Sequence, residues 1–473
     1  MSGIEESSAR QAALRQMFGS EIGLGFTATD IERHMRDHSG LPVKDVTVRG
    51  VVYPKSVEEV SAVLRVCHAE GVAVVPQGGL TGMAGGAQPS EGCVILSMER
   101  MREIEEVDLN ASTMTVQAGV PLEVVQKRAA EEGLFFPLDL GARGSSLIGG
   151  NIATNAGGNR VLRYGMMREL VLGLEVVLAN GTVIRSLSKV LKNNTGFDIK
   201  HFFIGSEGTL GVITRAVLRL WPASRRTAVA LCGAQTYADV LQILRLARER
   251  LGGTLSAFEV MWREFYSVVM SSRSGPMPLS TNHEFYVLIE MQGSDELDDQ
   301  RFGQFVESLF EKGCLGDATI AQSLSEVNSI WAIRDSSGEL GRIWGESSNF
   351  DVSVPTGDID RFAVDCRSRV AVAVPGAETL VFGHIADSNV HICCRAPDPK
   401  GSAKTVEREI YRCVRDWKGS VSAEHGIGLS KREYLSYSRS PAEISLMRAI
   451  KAALDPSNIL NPGKVLPAGM GDR

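Results

Sequence analysis

Apolar and polar positions alternate between two periods from about Val46 onward. Ser56 and Glu59 form a capping box, and Val60, Val63, Leu64 and Cys67 recur at helical spacing until Gly71 stops the run. The stretch 72–76 (VAVVP) then reads as a strand that delivers the chain into a glycine-rich loop. A second strand–helix unit follows, with a strand over 113–120, Pro121 at the helix start and Gly133 at its end. Further strands are predicted near 170–179 and 212–220. Beyond Trp221 and Pro222 the pattern changes. Strands at 229–233, 285–291, 351–354 and 379–383 alternate there with helical stretches at 236–251, 298–312 and 404–417, which predicts a separate antiparallel α+β domain. Residues 1–40 read as helical and rather polar, and the tail after Asp455 (DPSNILNPGKVLP) as irregular.

Composition narrows the function classes. A chain of 473 residues exceeds what one hydrophobic core usually supports, so at least two domains are expected. The formal charge of −6 disfavours a sequence-independent grip on phosphate backbones, and no basic block with interleaved aromatics occurs, so nucleic acid is not an expected partner. Apolar runs such as 170–179 are short and interrupted by Glu175, so no transmembrane segment is read. The N-terminus (MSGIEESSARQ) lacks the basic and apolar regions of a secretion signal, which makes the cytoplasm the expected compartment. Eight cysteines, at 67, 93, 232, 314, 366, 393, 394 and 413, form no C-x-x-C pair. They are expected to be buried thiols, not ligands of an iron–sulfur cluster.

Three glycine clusters carry the first chemical signal. The loop Pro76, Gln77, Gly78, Gly79, Leu80, Thr81, Gly82, Met83, Ala84, Gly85, Gly86 would let backbone N–H groups converge on an anion. It matches neither a G-x-G-x-x-G fingerprint nor a P-loop, and alone it reads as a plain flexible loop. A second cluster runs from Gly141 to Gly158 and a third from Gly205 to Ile213. Three such loops in one domain suit a long ligand bearing a pyrophosphate and a planar ring.

In this order the clusters resemble the FAD-binding domain of the vanillyl-alcohol-oxidase-type flavoprotein superfamily. Within it the chain is most similar to the D-2-hydroxyglutarate and D-lactate dehydrogenases and the glycolate oxidase flavin subunit, over roughly residues 40–465. The resemblance implies an α+β fold: a two-part FAD-binding domain, an antiparallel-sheet substrate (cap) domain and a C-terminal segment returning to the flavin. The implied boundaries are an N-terminal helical segment at 1–40, the FAD domain at 41–222, the cap at 223–425 and the C-terminal segment at 426–473. It also implies that Pro76–Gly86 wraps the pyrophosphate, with Thr81 and Gly82 donating hydrogen bonds. Pro137, Asp139, Gly141, Gly144 and Ser145 would line the flavin together with Gly149, Asn151, Thr154 and Gly158. Glu207, Gly208 and Ile213 would lie on the adenosine side, and Asn461 in the returning tail. Leu80 departs from the pattern, where relatives carry a polar residue. No histidine occurs in 72–90, so the FAD is expected to be non-covalent.

The segment Phe382-Gly-His384-Ile-Ala-Asp387-Ser-Asn389-Val-His391 is the sharpest local signal. On one continuous strand the two histidines would face opposite ways. A turn over Ala386–Asn389 would instead bring both imidazoles to one end of a hairpin. Glu424, in Ser422-Ala-Glu424-His425-Gly426, could complete a two-histidine, one-carboxylate site. Isolated histidines are commonly structural, and spacing alone leaves both readings open. The resemblance implies a divalent metal, zinc in most relatives with manganese an alternative, on His384, His391 and Glu424. It implies a catalytic base at His425 and a substrate-carboxylate clamp at Arg334. With Asn349, His384 and His425, Arg334 makes up the implied substrate-binding set.

The chemistry of that set is coherent. An alcohol must lose its proton as hydride leaves C2, a chelating cation lowers the alcohol pKa, and an imidazole titrating near pH ~6.5 can take the proton. Hydride would pass to flavin N5. Gly338, Asn349 and Cys393 replace Thr, Lys and Asn of the D-2-hydroxyglutarate pattern, so the substrate is left as D-2-hydroxyglutarate, D-lactate or a similar D-2-hydroxy acid. Electrons are expected to leave to an electron-transferring flavoprotein or quinone, and a homodimer is left open. The competing readings are a metal-dependent hydrolase, a flavin subunit of a glycolate-oxidase-like complex and an oxygen-using 2-hydroxy-acid oxidase.

Overall fold

The computed structural model describes residues 14–19, 22–25, 27–42, 46–275 and 277–467. The helical expectation for residues 1–13 lies outside the described residues. The chain forms two compact units: 1–157, 166–223 and 424–473 make up the first, and 158–165 with 224–423 the second.

The first unit holds two main sheets. In one, the strands Gly23–Gly25, Gly50–Tyr53, Val94–Ser97 and Val74–Gln77 lie in that order, and Val94–Ser97 runs parallel to both of its neighbours. Helix Val57–Ala69 connects Gly50–Tyr53 to Val74–Gln77 and buries Val60, Val63, Leu64 and Cys67, the stripe read from the sequence. Ser56 caps its first turn by accepting from the Glu59 amide. The second sheet has five antiparallel strands, ordered Ile104–Asp108, Thr113–Gln117, Val212–Arg219, Val171–Val177, Val183–Ser186.

Two sequence readings need correction here. Residues 1–40 are not helical throughout. Residues 14–18 and Ala28–His34 are helical, but Gly23–Gly25 pairs antiparallel with Gly50–Tyr53, because two glycines in three residues weaken a helix and an open sheet edge offers hydrogen bonds. The tail after Asp455 is not simply irregular either. Val74 donates to the Ile459 carbonyl at 2.7 Å, and the Asn461 amide donates to the Val74 carbonyl at 2.8 Å, so Leu460 extends that sheet in parallel.

The second unit is built on a seven-stranded, wholly antiparallel sheet. Its order is Asp317–Ile320, Arg226–Ala234, Phe285–Gly293, Leu255–Trp262, Glu378–Gly383, Asn389–Arg395, Ser348–Ser353. One core cluster packs Phe265, Tyr266, Ile330 and Ile333 from the helices Arg263–Ser272 and Leu324–Asp335 against Met261, Leu288 and Phe382 of the sheet. Tyr266 and Tyr286 stack with ring centroids 3.6 Å apart. The short excursion 158–165 joins this unit through Arg163, which donates to the Gln292 carbonyl at 2.5 Å, and Tyr164, whose hydroxyl meets the Gln292 side chain at 3.1 Å.

Candidate active site

The glycine loop leaves the C-terminal end of strand Val74–Gln77. A Cβ on Gly79 would lie 1.9 Å from the Ser145 carbonyl oxygen, so this loop and the 141–146 turn meet backbone to backbone, an approach only glycine allows. Leu80 has φ +58°, and its carbonyl accepts from His38 at 3.1 Å. The Gln77 side chain is buried and donates to the carbonyls of His34 (2.9 Å) and Ala87 (2.7 Å), so it ties the two ends of the loop together. Across from it, Gly144 and Ser145 are exposed just before helix Ile148–Ala153. On that helix Asn151 is 5% exposed, and its side-chain Nδ2 has no hydrogen-bond partner. Buried amides are rarely left so, and a ligand oxygen would satisfy it.

Other positions read from the sequence have internal partners. Asp139 pairs with Arg143 at 2.9 Å, Thr154 donates to the Gly150 carbonyl at 3.0 Å, Pro137 and Ile213 are buried, and Gly149 packs against Ala118. Gly158 belongs to the second unit.

The Glu207 side chain has its own task. Its carboxylate accepts the amides of Ile427 at 2.7 Å and Gly428 at 2.9 Å, and so clamps the turn that follows His425. Burial pushes this carboxyl above its ordinary range; the two amides, Lys431 and Lys464 pull it back only in part. Asn461 donates to the carbonyls of Gly86 (2.9 Å) and Glu207 (2.8 Å) and accepts from Lys464 (2.8 Å), which joins the first loop, the third loop and the tail.

The two histidines of the second unit sit on a hairpin. Strand Glu378–Gly383 leads into a single 3₁₀ turn, Ile385–Asp387, then Ser388 at φ +72° and strand Asn389–Arg395. A Cβ on Gly383 would lie 2.6 Å from the Asn389 carbonyl oxygen, which is why glycine stands at the tightest point. The turn residues thus reverse the chain as their types indicate, and the His384 and His391 rings approach to 5.4 Å between centroids. Glu424 follows Ala423, whose amide donates to buried Asp351 at 3.2 Å. Ligand atoms of His384, His391 and Glu424 all lie within 4.8 Å of one another. Two imidazoles and a carboxylate are a donor set suited to a divalent transition-metal ion. His425 is the next residue along the chain.

Sequence reasoning missed the carboxylates behind these histidines. Glu259, in strand Leu255–Trp262, is 1% exposed. Its Oε1 lies 2.5 Å from His384 Nδ1, and its Oε2 accepts from Arg334 Nε at 2.8 Å. Arg334 Nη2 in turn lies 3.0 Å from His384 Nε2. Arginine can only donate, so Nε2 carries the lone pair and Nδ1 the proton. Burial works to raise the Glu259 carboxyl, but His384 and Arg334 together override it and hold it at about 2. Asp351 stands opposite His391 in the sheet register, with Oδ1 3.9 Å from Nδ1. Arg334 is itself buried and stacks over Phe382 at 5.2 Å. Asn349 lies two residues before Asp351, exposed, and accepts from Ser347 at 3.0 Å. The only cue to Glu259 was a lone acid inside an otherwise uncharged strand, LSAFEVMW.

Known proteins agree with this architecture. Residues 48–186 match the FAD binding domain model, and residues 223–465 match that of the FAD linked oxidases, C-terminal domain. The mitochondrial D-2-hydroxyglutarate dehydrogenase of Bos taurus is 41% identical over 428 residues, 89% of this chain and 78% of that protein. The D-2-hydroxyglutarate dehydrogenase of Stutzerimonas stutzeri is 37% identical over 88% of this chain and 91% of its own length. Among solved structures, p-cresol methylhydroxylase with substrate bound superposes with a TM-score of 0.77 at 17% identity, covering 99% of this chain and 98% of that one. An alkyldihydroxyacetonephosphate synthase gives 0.73 at 18% identity, covering 96% and 84%. At that identity these two show a likeness of fold and nothing finer. The chain belongs to the FAD-linked oxidase family, with D-2-hydroxyglutarate dehydrogenases among its relatives.

Proposed function

We propose that this chain is an FAD-dependent dehydrogenase that oxidises a D-2-hydroxy acid, such as D-2-hydroxyglutarate or D-lactate, to the 2-oxo acid. The observation that carries the reading is the convergence of His384, His391 and Glu424 in a chain whose relatives are D-2-hydroxyglutarate dehydrogenases. These three residues would hold a divalent cation, and the glycine loops with Asn151 would hold non-covalent FAD. When bound, the cation supplies a lowered pKa to a coordinated hydroxyl, and the flavin accepts two electrons. Arg334, with a planar fork suited to carboxylate, grips C1 of the acid. His425 takes the hydroxyl proton, and the Glu207 clamp on Ile427 and Gly428 steadies the turn that carries it. Reducing equivalents leave to a separate carrier such as an electron-transferring flavoprotein or quinone.

The test is His425→Ala. A general base contributes roughly 10²–10⁴-fold, so anaerobic reduction of the flavin by the hydroxy acid should slow by that factor while FAD stays bound. Wild-type rates in the variant would exclude His425 as the base.

A further inference from the structure

Glu259 has no place in the reaction as written, yet its surroundings are unusual. An ionised carboxylate deep in an apolar sheet is a net burden on stability, and well-packed apolar residues often replace such groups without loss. Here each oxygen has a different cationic or polar partner: Oε1 faces His384 Nδ1 at 2.5 Å, and Oε2 faces Arg334 Nε at 2.8 Å. The first contact keeps the imidazole proton on Nδ1 and leaves the lone pair on Nε2. The second anchors the guanidinium at its inner nitrogen; of the terminal nitrogens, Nη1 faces Ser337 (3.4 Å) and Nη2 donates to His384 Nε2 (3.0 Å), a contact that a cation on Nε2 must displace, freeing Nη2 for the substrate.

Resting on the functional reading above, we propose that Glu259 is the positioning residue of the site, committing His384 Nε2 to the divalent cation and aiming the Arg334 fork at the substrate carboxylate. One carboxylate thereby sets both a ligand of the cation and the clamp on the substrate carboxylate. Metal-ligating histidines gain affinity and a fixed ring orientation from such a partner. Glutamine cannot reproduce it. Its carbonyl oxygen can take the place of only one of the two carboxylate oxygens, and the amide nitrogen that replaces the other presents hydrogens to a donor.

The experiment compares wild type and Glu259→Gln as purified flavoproteins. Zinc affinity is read by competition with a chromophoric chelator, alongside FAD content and the thermal midpoint. Loss of the partner should weaken zinc about 10- to 100-fold and raise KM for the hydroxy acid, with FAD content unchanged. Glu259→Asp, which keeps the charge on a shorter arm, should recover part of the zinc affinity. Zinc affinity in Glu259→Gln within twofold of a zinc-binding wild type overturns the proposal and leaves the functional reading standing. A wild type that takes up no zinc overturns the functional reading itself, and the proposal with it. Should Glu259→Gln fail to fold, a crystal structure of the zinc-loaded wild type decides. Zinc on His384 Nε2, with Nδ1 still against Glu259, supports the proposal; zinc on Nδ1 overturns it.

Discussion

Replacing Gly79 with alanine places a methyl group 1.9 Å from the Ser145 carbonyl oxygen and 2.8 Å from its carbonyl carbon. A methyl carbon and an oxygen settle at roughly 3.2 Å or more, so the two loops must part by over 1 Å. Both partners are backbone, and no flexible side chain can absorb the shift. Overpacking of this kind costs typically 1–3 kcal/mol, and a backbone neighbour puts this case near about 3 kcal/mol. If the loops close around FAD and relax without it, the whole strain appears in binding, where about 3 kcal/mol is roughly a hundredfold in Kd. The assay is FAD titration of apoprotein by flavin fluorescence, with unfolding followed in parallel by circular dichroism. Gly303→Ala is the control, since its Cβ meets nothing within 4 Å on helix Leu297–Glu311. An FAD Kd for Gly79→Ala within threefold of wild type, with an unchanged midpoint, would refute the close-approach argument.

Other expectations follow from the same contacts. Glu207→Ala removes the acceptor from the part-buried Ile427 amide and the buried Gly428 amide; at ~1–3 kcal/mol for each donor left unsatisfied it should lower denaturant stability by about 2–6 kcal/mol and slow flavin reduction. An unchanged urea midpoint would contradict the clamp. Lys451 donates to the Thr209 and Leu460 carbonyls at 2.8 Å and pairs with buried Asp455. Lys451→Met should therefore cost about 3–5 kcal/mol by stranding that carboxylate, measured by guanidinium unfolding. All eight cysteines are free and buried, with Cys67 and Cys232 pushed up to about 12 by burial. A thiol reagent should label almost none in the native protein and all eight after denaturation; rapid native labelling would contradict the packing.

What the sequence disclosed and what it hid divide along physical lines. Helix Val57–Ala69 and the alternation of strands and helices after Pro222 were legible because apolar period and end signals agreed within a short window. The His384–His391 hairpin was legible because Asp387, Ser388 and Asn389 are turn-formers between two strand-like runs. Glu259 was not, since its meaning depends on Arg334 and His384, 75 and 125 residues away in sequence. The parallel bridge of Leu460 to Val74 was hidden for the same reason, as was the membership of 158–165 in the second unit. Strand Gly23–Gly25 escaped because pairing with a remote strand, not local preference, makes it a strand. Glu207 sits in a glycine cluster that reads as ligand-binding, and nothing local shows that its carboxylate reaches across 220 residues to the Ile427 amide.

The central claim is the proposal that the His384, His391 and Glu424 triad acts on a D-2-hydroxy acid in an FAD-dependent dehydrogenase. It is tested most directly by mixing the purified flavoprotein anaerobically with D- and L-2-hydroxy acids, before and after chelator treatment, and following the flavin band. The account predicts that a D-acid bleaches the flavin, that its L-enantiomer does not, and that stripping then restoring zinc abolishes and recovers the bleaching. Equal bleaching by the stripped and zinc-restored protein would contradict it.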